Sequence, residues 1–254
     1  MEKNLSVRAF VLSTLFAIFA CSICAGGNIS RANTAELKVK SVKIDGYVGR
    51  RIDDCISHRV MEQDVDALVE PFRHRNETWR WQSEFWGKWT LGAIETYRYT
   101  GDAALYEKIA ASVGHIIETQ SPDGYIGNYA PEAQLKDWDI WGRKYTMLGL
   151  LSWYELSGDT HALAAASRVA DHLISQLKSK NVKIVKCGLY RGMASSSVLE
   201  PVMKLYNISG DKRYLDFATD IVSQWESPDG PKLVSRSDVP VALRFPHPDT
   251  KWFS

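Results

Sequence analysis

One pattern occurs three times along this chain, and it restricts the fold more than any other feature. LGAIETYRYTGDAALYEKIA begins at Leu91, LGLLSWYELSGDTHALAAAS at Leu148 and LEPVMKLYNISGDKRYLDFA at Leu199. Each copy reads as an apolar helix with an aromatic near its end, then Thr/Ser-Gly-Asp, then a second amphipathic helix. Glycine supplies the left-handed residue that ends a helix. Aspartate accepts hydrogen bonds from the free N–H groups that open the next one. Two helices joined by so short a turn lie antiparallel. Gly101, Gly158 and Gly210 stand 57 and then 52 residues apart. The tail of the unit recurs too: Ser121-Pro122-Asp123-Gly124 and Ser227-Pro228-Asp229-Gly230 end the second helix and turn the chain.

A helical hairpin of this size cannot bury its apolar face alone, so neighbouring hairpins must stack. The fold class is therefore all-α, as either a solenoid or a closed toroid. Solenoid units are commonly shorter, about 34 to 47 residues. The long connection Gln120–Asp137 favours a toroid with a functional rim. The expected architecture is an (α/α)6 toroid, incomplete, with about three to four hairpins within residues 37–254. Before the hairpins, Leu37, Val39, Val42 and Ile44 alternate with Lys38, Lys40 and Lys43, which suggests a short extended arm. A helical period is expected from Arg51 onward.

The first 27 residues read as a leader. Lys3 and Arg8 precede the nearly uncharged run Ala9–Ala25, the pattern of a secretory signal, with a membrane anchor as the alternative. Ile18-Phe19-Ala20-Cys21 loosely resembles a lipoprotein cleavage box, which would attach a lipid at Cys21; cleavage near Gly26-Gly27 is the other option. Residues 28–36 are polar and read as a disordered linker. The expected location is outside the cytoplasm: periplasmic, outer-membrane or extracellular. Export leaves Cys55 and Cys187, far apart in sequence and without a C-x-x-C metal spacing; two buried free thiols are expected. The net charge of +1 argues against a nucleic-acid partner. No G-x-S-x-G, P-loop or H-E-x-x-H occurs, and the six histidines show no ligand spacing.

Each first helix is preceded by an unusual segment. WRWQSEFWGKW spans 79–89, WDIWGRKY spans 138–145, and YRGMASSS spans 190–197 with Glu200 just beyond. Six of the nine tryptophans lie in these segments, and the repeat places all three at one end of the assembly. Indole faces stack on sugar C–H surfaces while charged groups bond hydroxyls. The candidate substrate-binding residues are Glu84, Trp86, Trp138, Asp139, Trp141, Arg143, Lys144, Tyr145 and Glu200. Each also has a purely structural reading. Trp81, Trp86 and Trp141 serve equally as wedges between hairpins. Asp139 suits a helix cap, Glu84 an i,i+4 pair with Lys88, and Glu200 the favourable start of a helix dipole. Arg143 and Lys144 can be solvated charges, and Asp123-Gly124-Tyr125 reads as a turn. Paired carboxylates are the usual device of sugar hydrolysis, but spacing does not say which acids face each other.

EFWGKW, SPDGYIGNY, WDIWGRKYTMLGLL and GMASSSVLEPVMKLY, in this order with Gly-Asp turns between them, resemble the N-terminal half of the catalytic domain of glycoside hydrolase family 127, the β-L-arabinofuranosidase-like family. The resemblance spans residues 42–233. It implies a toroid followed by β-domains and retaining hydrolysis of terminal β-L-arabinofuranosides. It further implies a cysteine nucleophile near a zinc held by further cysteines and a glutamate, all later in the toroid than this chain reaches. No cofactor ligands are thus expected in this chain, and Cys55 and Cys187 match none of those positions. Near the places where the family carries substrate-binding histidines, this chain has Tyr145 and Ser195, which puts the sugar in question. The expectation is a hydrolase-like chain lacking its catalytic half, acting on oligosaccharide or polysaccharide side chains. The alternatives are a non-catalytic carbohydrate-binding or helical interaction module, or another toroid enzyme such as a polysaccharide lyase or an epimerase.

Overall fold

The computed structural model describes residues 42–240 and Leu243. Val42 apart, these belong to the second of the chain's two compact units, Lys43–Ser254. The leader, Cys21, Cys24, the polar linker and most of the predicted arm lie outside the described residues. The described end of that arm, 42–45, is not in a strand, and the only β-pairing among the described residues is an isolated bridge between Glu77 and Tyr129.

The helices are α1 (Gly46–Cys55), which runs on through a π-helical segment (Ile56–Met61), α2 (Val65–His74), α3 (Glu84–Thr100), α4 (Ala103–Glu118), α5 (Asp139–Ser157), α6 (Thr160–Ser179), the single turn α7 (Met193–Ser196), α8 (Leu199–Ser209) and α9 (Lys212–Trp225). Helix thus begins at Gly46, earlier than the period at Arg51 indicates. Asp45, with extended backbone, opens it.

The three repeats fold as three hairpins, α3–α4, α5–α6 and α8–α9, and their turns are built alike. Gly101, Gly158 and Gly210 have φ of 68°, 76° and 69°. Their N–H groups donate to the carbonyls of Tyr97, Tyr154 and Tyr206 at 2.7–2.8 Å. Asp102, Asp159 and Asp211 then cap the second helix, accepting from the N–H groups of Ala104, His161 and Arg213 at 2.8–2.9 Å. The Thr or Ser before the glycine completes the device. Thr100, Ser157 and Ser209 each donate to the carbonyl four residues back, and each accepts the N–H of the following aspartate at 3.1–3.2 Å. All three positions of the tripeptide therefore satisfy backbone groups that a helix end leaves open.

The first helices form an inner row: α3 packs on α5, and α5 on α8. The second helices lie outside it, with α4 touching α6, and α2 covers α3 and α4. α5 is the middle of the row and is buried along nearly its whole length from Asp139 to Trp153. A helix apolar nearly all round is the expected sequence for that place. One apolar core runs through the unit, from Phe72 and Trp86 through Ile109, Leu150 and Val169 to Val202 and Ile221.

α3 and α5 approach each other unusually closely because glycines line their crossing. A side chain on Gly87 would strike the backbone carbonyl of Tyr145, and one on Gly142 would strike Ser83. A Cβ on Gly149 would lie 2.7 Å from the Trp86 ring. Gly158 differs, since nothing lies within 4 Å of a Cβ there and only its φ resists substitution. Gly158→Ala is therefore expected to cost about 1 kcal/mol. Gly87→Ala forces two backbones apart and is expected to cost more, about 1–3 kcal/mol or above. Urea denaturation of both variants measures the difference, and equal losses would contradict a close crossing.

Candidate functional site

The three segments preceding α3, α5 and α8 meet at one end of the inner row. Trp138, just ahead of α5, stands edge-on to three rings: Trp81 at 6.2 Å, Trp141 at 5.9 Å and Tyr190 at 6.0 Å. Trp141 in turn meets Tyr145, one helical turn on, at 5.1 Å. Edge-to-face geometry suits aromatic quadrupoles.

Charges frame these rings. Lys88 lies 5.9 Å from the Trp141 centroid and 5.0 Å from that of Tyr145, and Lys144 lies 4.9 and 5.1 Å from the same two. Both ammonium groups are thus placed for cation–π attraction. Glu84 is buried at the start of α3; one carboxylate oxygen accepts from Lys88 at 2.7 Å and the other from the indole N–H of Trp141. Glu200 faces Lys144 at 3.5 Å. Burial raises the pKa of the Tyr145 phenol, with Glu84 and Glu200 adding to the effect and Lys88 opposing it, so Tyr145 stays a neutral donor and acceptor. Trp138, Trp141 and Tyr145 are partly buried. Trp79, Trp81 and Phe85 beside them are 56%, 46% and 44% exposed. Aromatic faces bordered by two acids and two ammonium groups suit a neutral, polyhydroxylated ligand.

Three of the residues predicted for this surface lie beneath it instead. Trp86 is fully buried, with its indole N–H donating to Ser112 of α4 at 2.9 Å, so it wedges hairpin one together. Asp139 and Arg143 are 1% and 0% exposed and form a salt bridge of 2.6 Å. Neither a solvated charge nor a substrate contact fits that burial. Asp139 also accepts from the Tyr125 hydroxyl and the Leu135 N–H, both at 2.8 Å. Arg143 reaches Gln176 at 2.9 Å and His172 at 3.2 Å, and lies 4.6 Å from the Tyr125 ring centroid. His172 contacts Asp123 at 3.2 Å. This buried network ties the SPDGYIGNY loop to α5 and α6 and fixes the floor under Trp138 and Trp141. Asp123 is held by Ser121 and by the N–H of Tyr125, as a turn residue should be.

The network's outer members carried no signal in the sequence. His172 stands 29 residues from Arg143, and Tyr125 sits in a segment that reads as a turn. Tyr190 could have been found, since it opens the third segment. Tyr190 and Arg191 both have positive φ, at 56° and 54°, followed by Gly192 at 73°. Such a run of left-handed residues is rare and tends to mark functional loops.

The family described as Beta-L-arabinofuranosidase, GH127 catalytic domain, matches residues 31–227. The chain belongs to that family. Solved structures of two of its members show the same fold. One is Ara127N-Se, a GH127 β-L-arabinofuranosidase from Geobacillus stearothermophilus T6, with a TM-score of 0.52 at 16% identity. The other is the GH127 β-arabinofuranosidase BT3674, with a TM-score of 0.53 at 17% identity. The matches cover 74% and 75% of this chain but 33% and 34% of theirs, so the chain spans about a third of their length. No curated relative matches the chain at a significant level. The hairpins are therefore those of a partial α/α toroid.

The zinc that the GH127 resemblance implies finds no ligand set among the described residues, where no group of three His, Cys, Asp or Glu side chains converges. Cys55 is free and exposed, contrary to the expectation of two buried thiols, while Cys187 is free and buried. Burial pushes the Cys187 thiol up to about 11. Ser195 is buried as well and donates to the Cys187 carbonyl at 2.9 Å, so it supports the third segment from within.

Two predictions follow from the floor of the site. Asp139→Ala strands the Arg143 charge in the interior and is expected to destabilise the fold by roughly 3–5 kcal/mol, read as a lower midpoint in urea. The second concerns His172, whose pKa burial and the Arg143 charge hold below 6.5 against the pull of Asp123 and Asp139. The unfolded chain then takes up a proton that the folded chain refuses. Stability is full above pH 6.5 and is lost as pH falls towards the depressed value. A melting series from pH 7.5 to 5 should show that slope, and His172→Gln should flatten it.

Proposed function

We propose that this chain recognises L-arabinofuranose-type units of plant or microbial polysaccharide side chains, as the substrate-binding part of a GH127 glycoside hydrolase. The observation that carries the reading is the aromatic cluster Trp138–Trp141–Tyr145 with its frame of Glu84, Lys88, Lys144 and Glu200. Family membership supports the substrate class, since both structural relatives bear the name of arabinofuranosidases. The role assigned is recognition, because Glu84 is already committed to Lys88 and Trp141 and Glu200 to Lys144. Action outside the cytoplasm is part of the same reading, supported by the apolar run Ala9–Ala25 behind Lys3 and Arg8. An oligosaccharide partner and no nucleic acid fit a net charge of +1.

The test is a titration of the full chain with β-linked L-arabinofuranobiose, followed by tryptophan fluorescence. Saturable quenching is expected. Trp141→Ala should weaken binding about tenfold, the equivalent of ~1.4 kcal/mol. Unchanged affinity in that variant would remove the cluster from the site. Release of the aryl group from an aryl β-L-arabinofuranoside by this chain would show that it does more than recognise.

A further inference from the structure

The aromatic surface does not stop at Trp138. Trp79, Trp81 and Phe85, in the first of the three segments, are 56%, 46% and 44% exposed. Among the described residues, Tyr47 is the only other aromatic exposed to that degree. Water solvates apolar rings poorly, so an exposed patch of them bordered by polar groups marks an interaction surface.

The two indoles stand on a fixed backbone. One Glu77 carboxylate oxygen accepts the N–H groups of Thr78, Trp79 and Arg80 at 2.8–3.1 Å. Burial works against that carboxylate's charge, yet the three bonds hold its pKa below the ordinary value. Glu77 is itself tied to the SPDGYIGNY loop: its N–H donates to the Asn128 carbonyl at 3.0 Å, and its carbonyl accepts the Ala130 N–H at 2.9 Å. The Arg80 guanidinium lies over the Trp79 ring, 5.3 Å from the centroid, and steadies that side chain. Rings ordered before a ligand arrives spare it part of the entropic cost of binding.

Buried Tyr129 joins this segment to the site. Its hydroxyl donates to the Arg80 carbonyl at 2.9 Å and accepts the Trp138 N–H at 3.2 Å. One phenol thus sets the spacing of the two backbones, using both its donor and its acceptor. The Trp81 ring meets that of Trp138 edge-on at 6.2 Å. Trp79 is two residues further, within about 7 Å along the chain. The indoles therefore continue from Trp141 through Trp138 and Trp81 to Trp79. The charges of this extension are engaged within it, Arg80 on the Trp79 ring and Glu77 on backbone N–H groups. A row of rings without spare charge suits further neutral sugar units better than an anion or a charged peptide.

We propose that Trp79 and Trp81 extend the site along its ligand, so that the chain takes an oligosaccharide of three or more sugar units and not a terminal unit alone. The assignment rests on the arabinofuranose reading of the aromatic cluster, and adds to it the length and direction of the ligand. The first unit lies at Trp138 and Trp141, and the units beyond it run over Trp81 towards Trp79.

Calorimetric titration of the full chain with L-arabinofuranose oligosaccharides of two, three and four units tests this. The longest should bind about tenfold tighter than the biose. Trp79→Ala should abolish that gain and leave the affinity for the biose unchanged. Glu77→Ala, which frees the backbone but keeps both indoles, should reduce the gain as well. Equal affinity for all three lengths, or a gain that survives Trp79→Ala, would overturn the extension and leave recognition of a single unit standing. Binding at no length would remove the arabinofuranose reading, and the extension with it. Sedimentation velocity supplies the remaining check, with a monomer expected for both the parent chain and Trp79→Ala. A dimer that Trp79→Ala dissociates would mean that a second copy covers these rings, which also overturns the assignment.

Discussion

The site depends on how closely α3 and α5 can cross. Gly87, Gly142 and Gly149 remove the side chains that would hold the two backbones apart. With that separation closed, Glu84 reaches the indole of Trp141, and Lys88 reaches the rings of Trp141 and Tyr145. Both contacts join residues on different hairpins, more than fifty positions apart. A larger residue at the crossing would alter none of the cluster's own side chains, yet it would push the two halves of the aromatic cluster apart.

Beneath the crossing lies the salt bridge of Asp139 and Arg143, and the two layers work together. A buried ion pair adds little net stability compared with well-packed apolar residues, but breaking it is severe. Its contribution here is positional. Asp139 holds the Leu135 N–H and the Tyr125 hydroxyl, and Arg143 holds Gln176 and His172. The long loop after α4 is thereby fixed to both helices of the second hairpin. Trp138 rises from that loop into the cluster, so the polar floor decides where an apolar wall stands.

Much of the fold was legible in the sequence because the repeat is a local signal. Thr/Ser-Gly-Asp fixes a turn within three residues, and the Gly101, Gly158 and Gly210 turns appear where the pattern puts them. That the three segments ahead of the first helices share one end follows from antiparallel hairpins alone. The site was legible only in part. Trp138, Trp141, Lys144, Tyr145, Glu84 and Glu200 do come together, but Trp86, Asp139 and Arg143 point into the core. Both outcomes satisfy the same sequence pattern, since a helix start that faces a rim also has a face towards its neighbours. Choosing between them needs the rotation of α5 about its axis, which is set by glycines at a crossing and not by the period of the helix.

The turns have a kinetic meaning as well. Each Ser/Thr-Gly-Asp unit satisfies its own hydrogen bonds with groups no more than four residues away. A hairpin can therefore close before any neighbour is present, and contacts made early are short in sequence, the condition that favours fast folding. Synthesis delivers the hairpins one at a time, N-terminal first. The α3–α4 hairpin should wait, already bent at Gly101, for α5 to arrive against Gly87. The ring edges around Trp138 are then the last features to assemble, since they need parts of three hairpins at once.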